Sequence, residues 1–337
     1  MSKIISVFLL VSLFLFSCNG QVQNKKKEIQ QQENSLEVLT QKIEQSPNDA
    51  NLLIQRAAIY QKNMQTNNAI ADMQAALNIE PQNTDYYLIL VDYFMQAGQL
   101  KNTIGVLKKI LSIDSKNSAA LLKMAEINLI LKKYPEVFVY ANSVLENDPY
   151  NAKAFFIRGY SYKEMGDTNK AIENFRETVK YDPNNYNALN ELGLIFTARK
   201  DIIALDYFKN AIAVDSVKED AYYYIGMYYQ NNDYLNEALD IYRELIKRSP
   251  NFPYSYYNTG FIYLELLKVP DEAIPFFTQA IQVNPNYFEA YFNRGLCFEI
   301  LGDVYKAQDD YQMALKIHPE YQKAIDGLNR IHEIMSR

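Results

Sequence analysis

The chain has no tryptophan, two cysteines and two histidines among its 337 residues, and these shortages exclude whole classes of chemistry. Cys18 and Cys297 lie far apart, with no companion spacing for a disulfide framework, a zinc site or a redox pair. His318 and His332 have no serine or cysteine partner nearby, so no catalytic residues, metal or cofactor are expected. Eleven glycines and eleven prolines are too few for a collagenous or low-complexity chain. Basic residues are in deficit, 34 against 40 acidic ones, which leaves a net charge of −6. A nucleic-acid partner is therefore not expected, because neutralising phosphates needs a basic surplus gathered on one face.

What is present begins with an address. Ile4 to Phe16 is an apolar run interrupted only by Ser6 and Ser12 and preceded by Lys3, the layout of a secretory signal and too short for a bilayer-spanning helix, which needs about 20 residues. Leu15-Phe16-Ser17-Cys18 resembles the lipobox of bacterial lipoproteins, although Phe16 is bulkier than the usual occupant. The resemblance implies that segment 1–17 is removed and that Cys18 is acylated, the lipid attachment holding the chain on a membrane. Asn19 follows in place of an aspartate that would imply inner-membrane retention, so the expected location is the bacterial cell envelope, on the outer membrane facing the periplasm. Residues 18–34 are polar and lack hydrophobic periodicity. They read as a flexible tether with a reach of roughly 20–25 Å.

A repeat governs the rest. Pro47, Pro81, Ser115, Pro149, Pro183, Ser216, Pro250, Pro285 and Pro319 recur at intervals of 34, 34, 34, 34, 33, 34, 35 and 34 residues. In register with them run a large residue at repeat position 4, a small one at 8, an aromatic at 11, and small, aromatic and small residues at 20, 24 and 27. Phe155, Gly159, Tyr162, Ala171 and Phe175 carry the pattern in one repeat, and Tyr291, Gly295, Phe298, Ala307, Tyr311 and Ala314 in another. This pattern resembles the tetratricopeptide repeat. It implies an all-α, right-handed superhelical solenoid of antiparallel helix pairs A and B, in eight repeats: 50–83, 84–117, 118–151, 152–185, 186–218, 219–252, 253–287 and 288–321. Residues 35–49 and 322–337 read as N- and C-terminal capping helices. The missing residue of the fifth repeat and the extra one of the seventh are expected in the A-to-B turns. Position-8 glycines are expected where A and B helices cross closely, since glycine inside a helix otherwise costs about 1 kcal/mol.

The function follows from the resemblance, in which helix A lines the ligand-contacting concave groove. Carried over, the expected partner-binding residues are Phe156, Tyr160, Lys163, Asn190, Tyr223, Met227, Tyr257, Asn258, Phe261, Phe292 and Asn293. Aromatics concentrate in the second half, and aromatics anchor protein interfaces. The expectation is a membrane-anchored scaffold or adaptor, not an enzyme, binding other envelope proteins or peptides. The alternative is a homodimer or larger homo-oligomer serving as a structural lipoprotein without a groove ligand. Cys297, on helix A near Gly295, is expected to be a packing side chain.

Overall fold

The structure, a computed structural model, describes residues 35–336; the signal segment, Cys18 and the whole of the tether lie outside them. Every regular element among the described residues is helical. The chain divides into two compact units between Tyr150 and Asn151. The N-terminal unit holds α1 (35–45), α2 (Ala50–Lys62), α3 (Thr66–Ile79), α4 (Thr84–Gln96), α5 (Leu100–Ile113), α6 (Ser118–Ile130) and α7 (Tyr134–Asn147). The C-terminal unit holds α8 (Ala152–Glu164), α9 (Thr168–Tyr181), α10 (Tyr186–Ala198), α11 (Ile203–Val214), α12 (Asp220–Asn231) and α13 (Leu235–Arg248). It continues with α14 (Pro253–Phe261), α15 (Pro270–Val283), α16 (Phe288–Ile300), α17 (Val304–Ile317) and α18 (Gln322–Met335). Within each unit successive helices pack on one another, and the short turns make neighbours antiparallel.

Local chemistry sets the helix ends. Asp49, Asn83, Asn117, Asn151 and Asn185 precede the first five A helices, and each side chain accepts a first-turn backbone N–H. Such a cap contributes about 1 kcal/mol. Each of the eight A-to-B turns contains one residue in the left-handed region: Met64, Gly98, Lys132, Gly166, Lys200, Asp233, Lys268 and Gly302. Glycine takes this conformation freely, whereas the other five strain against their Cβ.

The helix crossings bear out the expectation for position 8. A Cβ built on Gly193 would stand 2.4 Å from the ring of Phe208, and one on Gly226 would stand 2.4 Å from that of Tyr242. Gly159, Gly260 and Gly295 face Phe175, Phe277 and Tyr311 in the same way. All five rings are fully buried. The N-terminal unit exchanges volume across the same two positions: Ala57 with Met73, Val91 with Leu107, and Ala125 with Ala141, all buried. Small opposes large in the first pair and intermediate opposes intermediate in the second, so the spacing is kept there with different side chains, whereas Ala125 and Ala141 set small against small.

The two irregular repeats depart from the turn expectation. In the fifth, α11 has 12 residues where other B helices have 14, and its start is tightened by Ala204 N–H to Asp201 C=O and Leu205 N–H to Ile202 C=O bonds. The missing residue has come out of the helix. In the seventh, the extra residue is absorbed as a π-helical turn, Ile262–Leu266, that extends α14. Ile262 and Leu264 are buried there, and bulging the helix by one residue keeps both in the core where a longer loop would expose them.

Two further contacts fasten the pairs. Arg56 on α2 makes a bidentate pair with Asp72 on α3, at 2.8 and 2.7 Å, and donates to the Thr40 hydroxyl of α1 at 3.1 Å. Arg294 on α16 repeats the arrangement with Asp310 of α17, at 2.8 and 2.7 Å, and Thr278 of α15, at 3.1 Å. A planar guanidinium thus ties three successive helices. At the C-terminal end, Tyr311 lies between Gly295 of α16 and Gly327 of α18, each of which would place a Cβ against its ring. Arg330 of α18 grips Glu299 of α16 at 2.7 and 2.9 Å, and Glu299 also accepts from the Tyr311 hydroxyl at 2.5 Å.

Candidate partner-binding groove

The candidate residues lie on A helices of the C-terminal unit. Position 5 of its five repeats is held by Phe156, Asn190, Tyr223, Tyr257 and Phe292, of which Asn190 and Phe292 are buried and the others half-buried. Phe156 packs on Tyr160, 6.2 Å between centroids, and on Phe175 at 5.7 Å. Lys163 is not a free cation: its ammonium pairs with Glu191 at 2.5 Å and sits 5.1 Å from the centre of the Tyr160 ring. Met227 is half-buried on α12.

The asparagines serve the fold. Asn258 donates to the Tyr242 hydroxyl at 3.0 Å, and that hydroxyl donates to Gln230 at 3.1 Å. Asn293 donates to the Tyr257 hydroxyl at 2.9 Å. Both link one repeat to its predecessor. Asn190 differs, because its Oδ1 is buried without a hydrogen-bond partner, an arrangement that costs stability unless something else supplies a donor.

The strongest feature is a strip of rings from α12 to α16. Tyr223 meets Phe252 at 5.6 Å and Tyr254 at 5.9 Å. Tyr254 meets Tyr287 at 5.6 Å, and Tyr287 stacks on Tyr257 at 4.8 Å. Tyr257 in turn stacks on Phe261 at 6.4 Å. Tyr254, 44% exposed, is the ring most open to solvent. Burial pushes the Tyr257 hydroxyl up to about 12 and raises those of Tyr223 and Tyr287 as well, so all three stay neutral donors at ordinary pH.

Phe252 and Tyr287 were not among the expected groove residues, although a signal for them exists. They occupy the N-cap positions of α14 and α16, where the first five repeats carry Asp or Asn, and neither helix has a side-chain cap. Tyr321 replaces the cap of α18 in the same way and meets Phe292 at 5.4 Å. Three helices in the second half of the unit forgo a capping bond and put a ring at the mouth of the A-helix face.

The remaining candidates carry no visible chemistry. Cys297 is buried among apolar neighbours, and burial pushes its thiol up to about 12, which makes it an inert packing group. The ring of His318 packs on Phe288 at 4.7 Å. Among the described residues no group of three or more His, Cys, Asp or Glu is placed to hold a metal, and no helix is long and apolar enough to cross a membrane.

Comparison with known proteins agrees with this architecture. Residues 220–251, 253–287 and 288–321 match the family described as tetratricopeptide repeat, and residues 143–198 match one described as TPR repeat. The Hsp70-Hsp90 organizing protein 3 of Arabidopsis thaliana is 24% identical over 240 residues, 68% of this chain and 42% of its own length. The chain spans less than half the length of the curated relatives it matches. The C-terminal part of a TPR repeat-containing protein from Cytophaga hutchinsonii shares the fold, with TM-score 0.58 and 18% identity over 73% of this chain and 99% of that one. A tetratricopeptide repeat protein from Parabacteroides merdae aligns with TM-score 0.55 and 18% identity over 74% and 98% of the two chains. Stacked helix pairs, the glycine-to-ring crossings and these four matching segments together make this chain a tetratricopeptide repeat protein, of a fold that typically serves as a non-catalytic scaffold for other proteins or peptides.

Proposed function

We propose that the chain is a scaffold of the bacterial envelope, anchored through acylated Cys18 to the outer membrane on its periplasmic side, that holds a segment of another protein on the A-helix face of its C-terminal unit. The observation that carries the groove is the substitution of rings for N-caps at Phe252 and Tyr287, continuous with Tyr223, Tyr254 and Tyr257. A sequence gives up a local bond of about 1 kcal/mol only where something else is gained, and such conflicts gather at functional sites. A half-open strip of tyrosines presents large, rigid contact area with hydroxyls at its edge, the usual make-up of an interface anchor. The unpartnered Oδ1 of Asn190, on the same series of helix positions, is an acceptor for a backbone N–H of the bound segment once that side chain swings outward. The anchor rests on Leu15 to Cys18, where an apolar run ends at a small residue and a cysteine.

A photo-crosslinking side chain placed at Tyr254 in living cells tests the groove against the same group at Val139, an exposed site on α7. Capture of a discrete partner at Tyr254 and not at Val139 is the expected result. Tyr254→Ala should then weaken the isolated complex about tenfold, as for an interface anchor. Equal capture at both positions would remove the groove reading. Incorporation of labelled fatty acid, abolished by Cys18→Ser, tests the anchor separately.

A further inference from the structure

The three A-to-B turns of the N-terminal unit leave apolar side chains in water. Met64 is 91% exposed and Ile130 77%, and Met95, Leu100 and Leu131 are exposed as well. Antiparallel packing gathers these turns on one edge. The Gln61 side-chain amide of α2 donates to Gln96 of α4, and Met95, Gly98 and Leu100 line a shallow depression of about 180 Å³ together with Ile127, Ile130 and Leu131.

The charge on this edge has one sign. Lys62, Lys101, Lys132 and Lys133 are all exposed, and no acidic residue occurs in residues 62–67, 96–101 or 130–135. The nearest acid on the flanking helices is Glu136, in the first turn of α7. The opposite edge, made by the B-to-A turns, carries Asp49, Glu80, Asp85, Asp114 and Asp148 against a single lysine, Lys116. In a chain of net charge −6, one edge of this unit is therefore basic and apolar while the other is acidic.

Apolar side chains set singly among lysines are the arrangement that enters a lipid headgroup layer: the apolar groups reach the acyl boundary and the ammonium groups stay with the phosphates. A protein partner would instead be held by aromatic or arginine anchors, and the exposed apolar side chains of this edge are methionine, leucine and isoleucine. We propose that the A-to-B-turn edge of the N-terminal unit lies on an anionic lipid bilayer, with Met64, Leu100 and Ile130 inserted and Lys62, Lys101, Lys132 and Lys133 on the headgroups. The acidic edge then faces away from the negative surface. The proposal deepens the anchored reading, and its test omits the acyl chains so that the two can fail separately.

A chain starting at Asn19, which keeps every described helix, is sedimented with vesicles of phosphatidylcholine alone and of phosphatidylcholine with phosphatidylglycerol. Partition into the anionic vesicles only is expected. Lys132→Glu with Lys133→Glu should lower it by at least about fivefold for each lysine, Met64→Ser with Ile130→Ser should lower it comparably, and Lys116→Glu on the far edge should leave it unchanged. The substituted side chains are exposed, so thermal melting should not move and serves as the folding control. Absence of binding, equal binding to both vesicle types, or equal sensitivity to Lys116→Glu overturns the proposal. So does a concentration-dependent dimer in light scattering that Met64→Ser with Ile130→Ser abolishes, because the edge would then be covered by a second copy. Vesicle binding without fatty-acid incorporation at Cys18 would refute the anchor alone.

Discussion

Glycine has two different meanings in this chain, and they can be separated by substitution. Gly226 sits where α12 crosses α13, and an added methyl would stand 2.4 Å from the Tyr242 ring. Gly105, in the middle of α5, has nothing within 4 Å of that position. Gly226→Ala should destabilise the protein by about 2 kcal/mol, overpacking outweighing the gain in helix propensity, whereas Gly105→Ala should stabilise it by up to about 1 kcal/mol. Thermal melting of the two variants would show shifts of opposite sign, and a stabilised Gly226→Ala would refute the crossing argument. The position-8 glycines were legible because a helix-weakening residue recurred in step. The left-handed Met64, Lys132, Lys200, Asp233 and Lys268 were not, since their side chains give no sign of the strain that the turn imposes.

Helix pairing turns on contacts between elements, which periodicity does not encode. Arg56 with Asp72 and Arg294 with Asp310 stand 16 residues apart on the A and B helices of one repeat. Arg158 on α8 occupies the equivalent place, but the residue 16 further on is Asn174, and the Arg158 Nε is buried without a partner. Asn174→Asp should complete this third clamp and stabilise the C-terminal unit by about 1 kcal/mol, a part-buried, bidentate pair being worth more than a surface one. Denaturant titration of Asn174→Asp alone and combined with Arg158→Met would isolate the pairing energy. No coupling between the two sites would mean that the aspartate does not reach the guanidinium. The irregular repeats teach the same lesson. Counting residues located one deletion and one insertion, but whether a turn or a helix absorbs them depends on which side chains must stay buried, and Ile262 and Leu264 decided it in favour of a π turn.

For the molecule as a whole, the class of architecture was legible from spacing alone, while the break between Tyr150 and Asn151 was not. The two units differ in what fills their crossings: aliphatic side chains in the first, and rings against glycines in the second. That difference has a titration consequence. Burial raises the hydroxyls of Tyr242, Tyr287 and Tyr311 well above the free value of 10.0, with Tyr257 and the Cys297 thiol up to about 12. A group with a raised folded pKa contributes stability that is full below its unfolded pKa and is lost as pH rises toward the folded one. Stability should therefore hold to about pH 9 and fall steeply above about pH 10. These five groups all belong to residues 151–337, so the C-terminal unit should unfold first. Melting followed across that range would check it, the exposed tyrosines ionising first and the buried rings adding their tyrosinate absorbance only as the unit unfolds; complete tyrosine ionisation before unfolding would count against the burial. Of the candidate groove the sequence showed the rings on the A helices but not their contacts: Asn258 and Asn293 bind tyrosine hydroxyls, and the capless Phe252 and Tyr287 extend the strip of rings.

The seating of Tyr311 between Gly295 and Gly327, with Arg330 on Glu299, bears on how such an array can change length. Helix α18 is matched to side chains particular to α16 and α17, so a new unit spliced in after α17 would leave a stranded arginine and an uncovered phenol ring. Duplication, by recombination or by a protein engineer, has to happen upstream of α16, with the last three helices carried along as one terminal cassette.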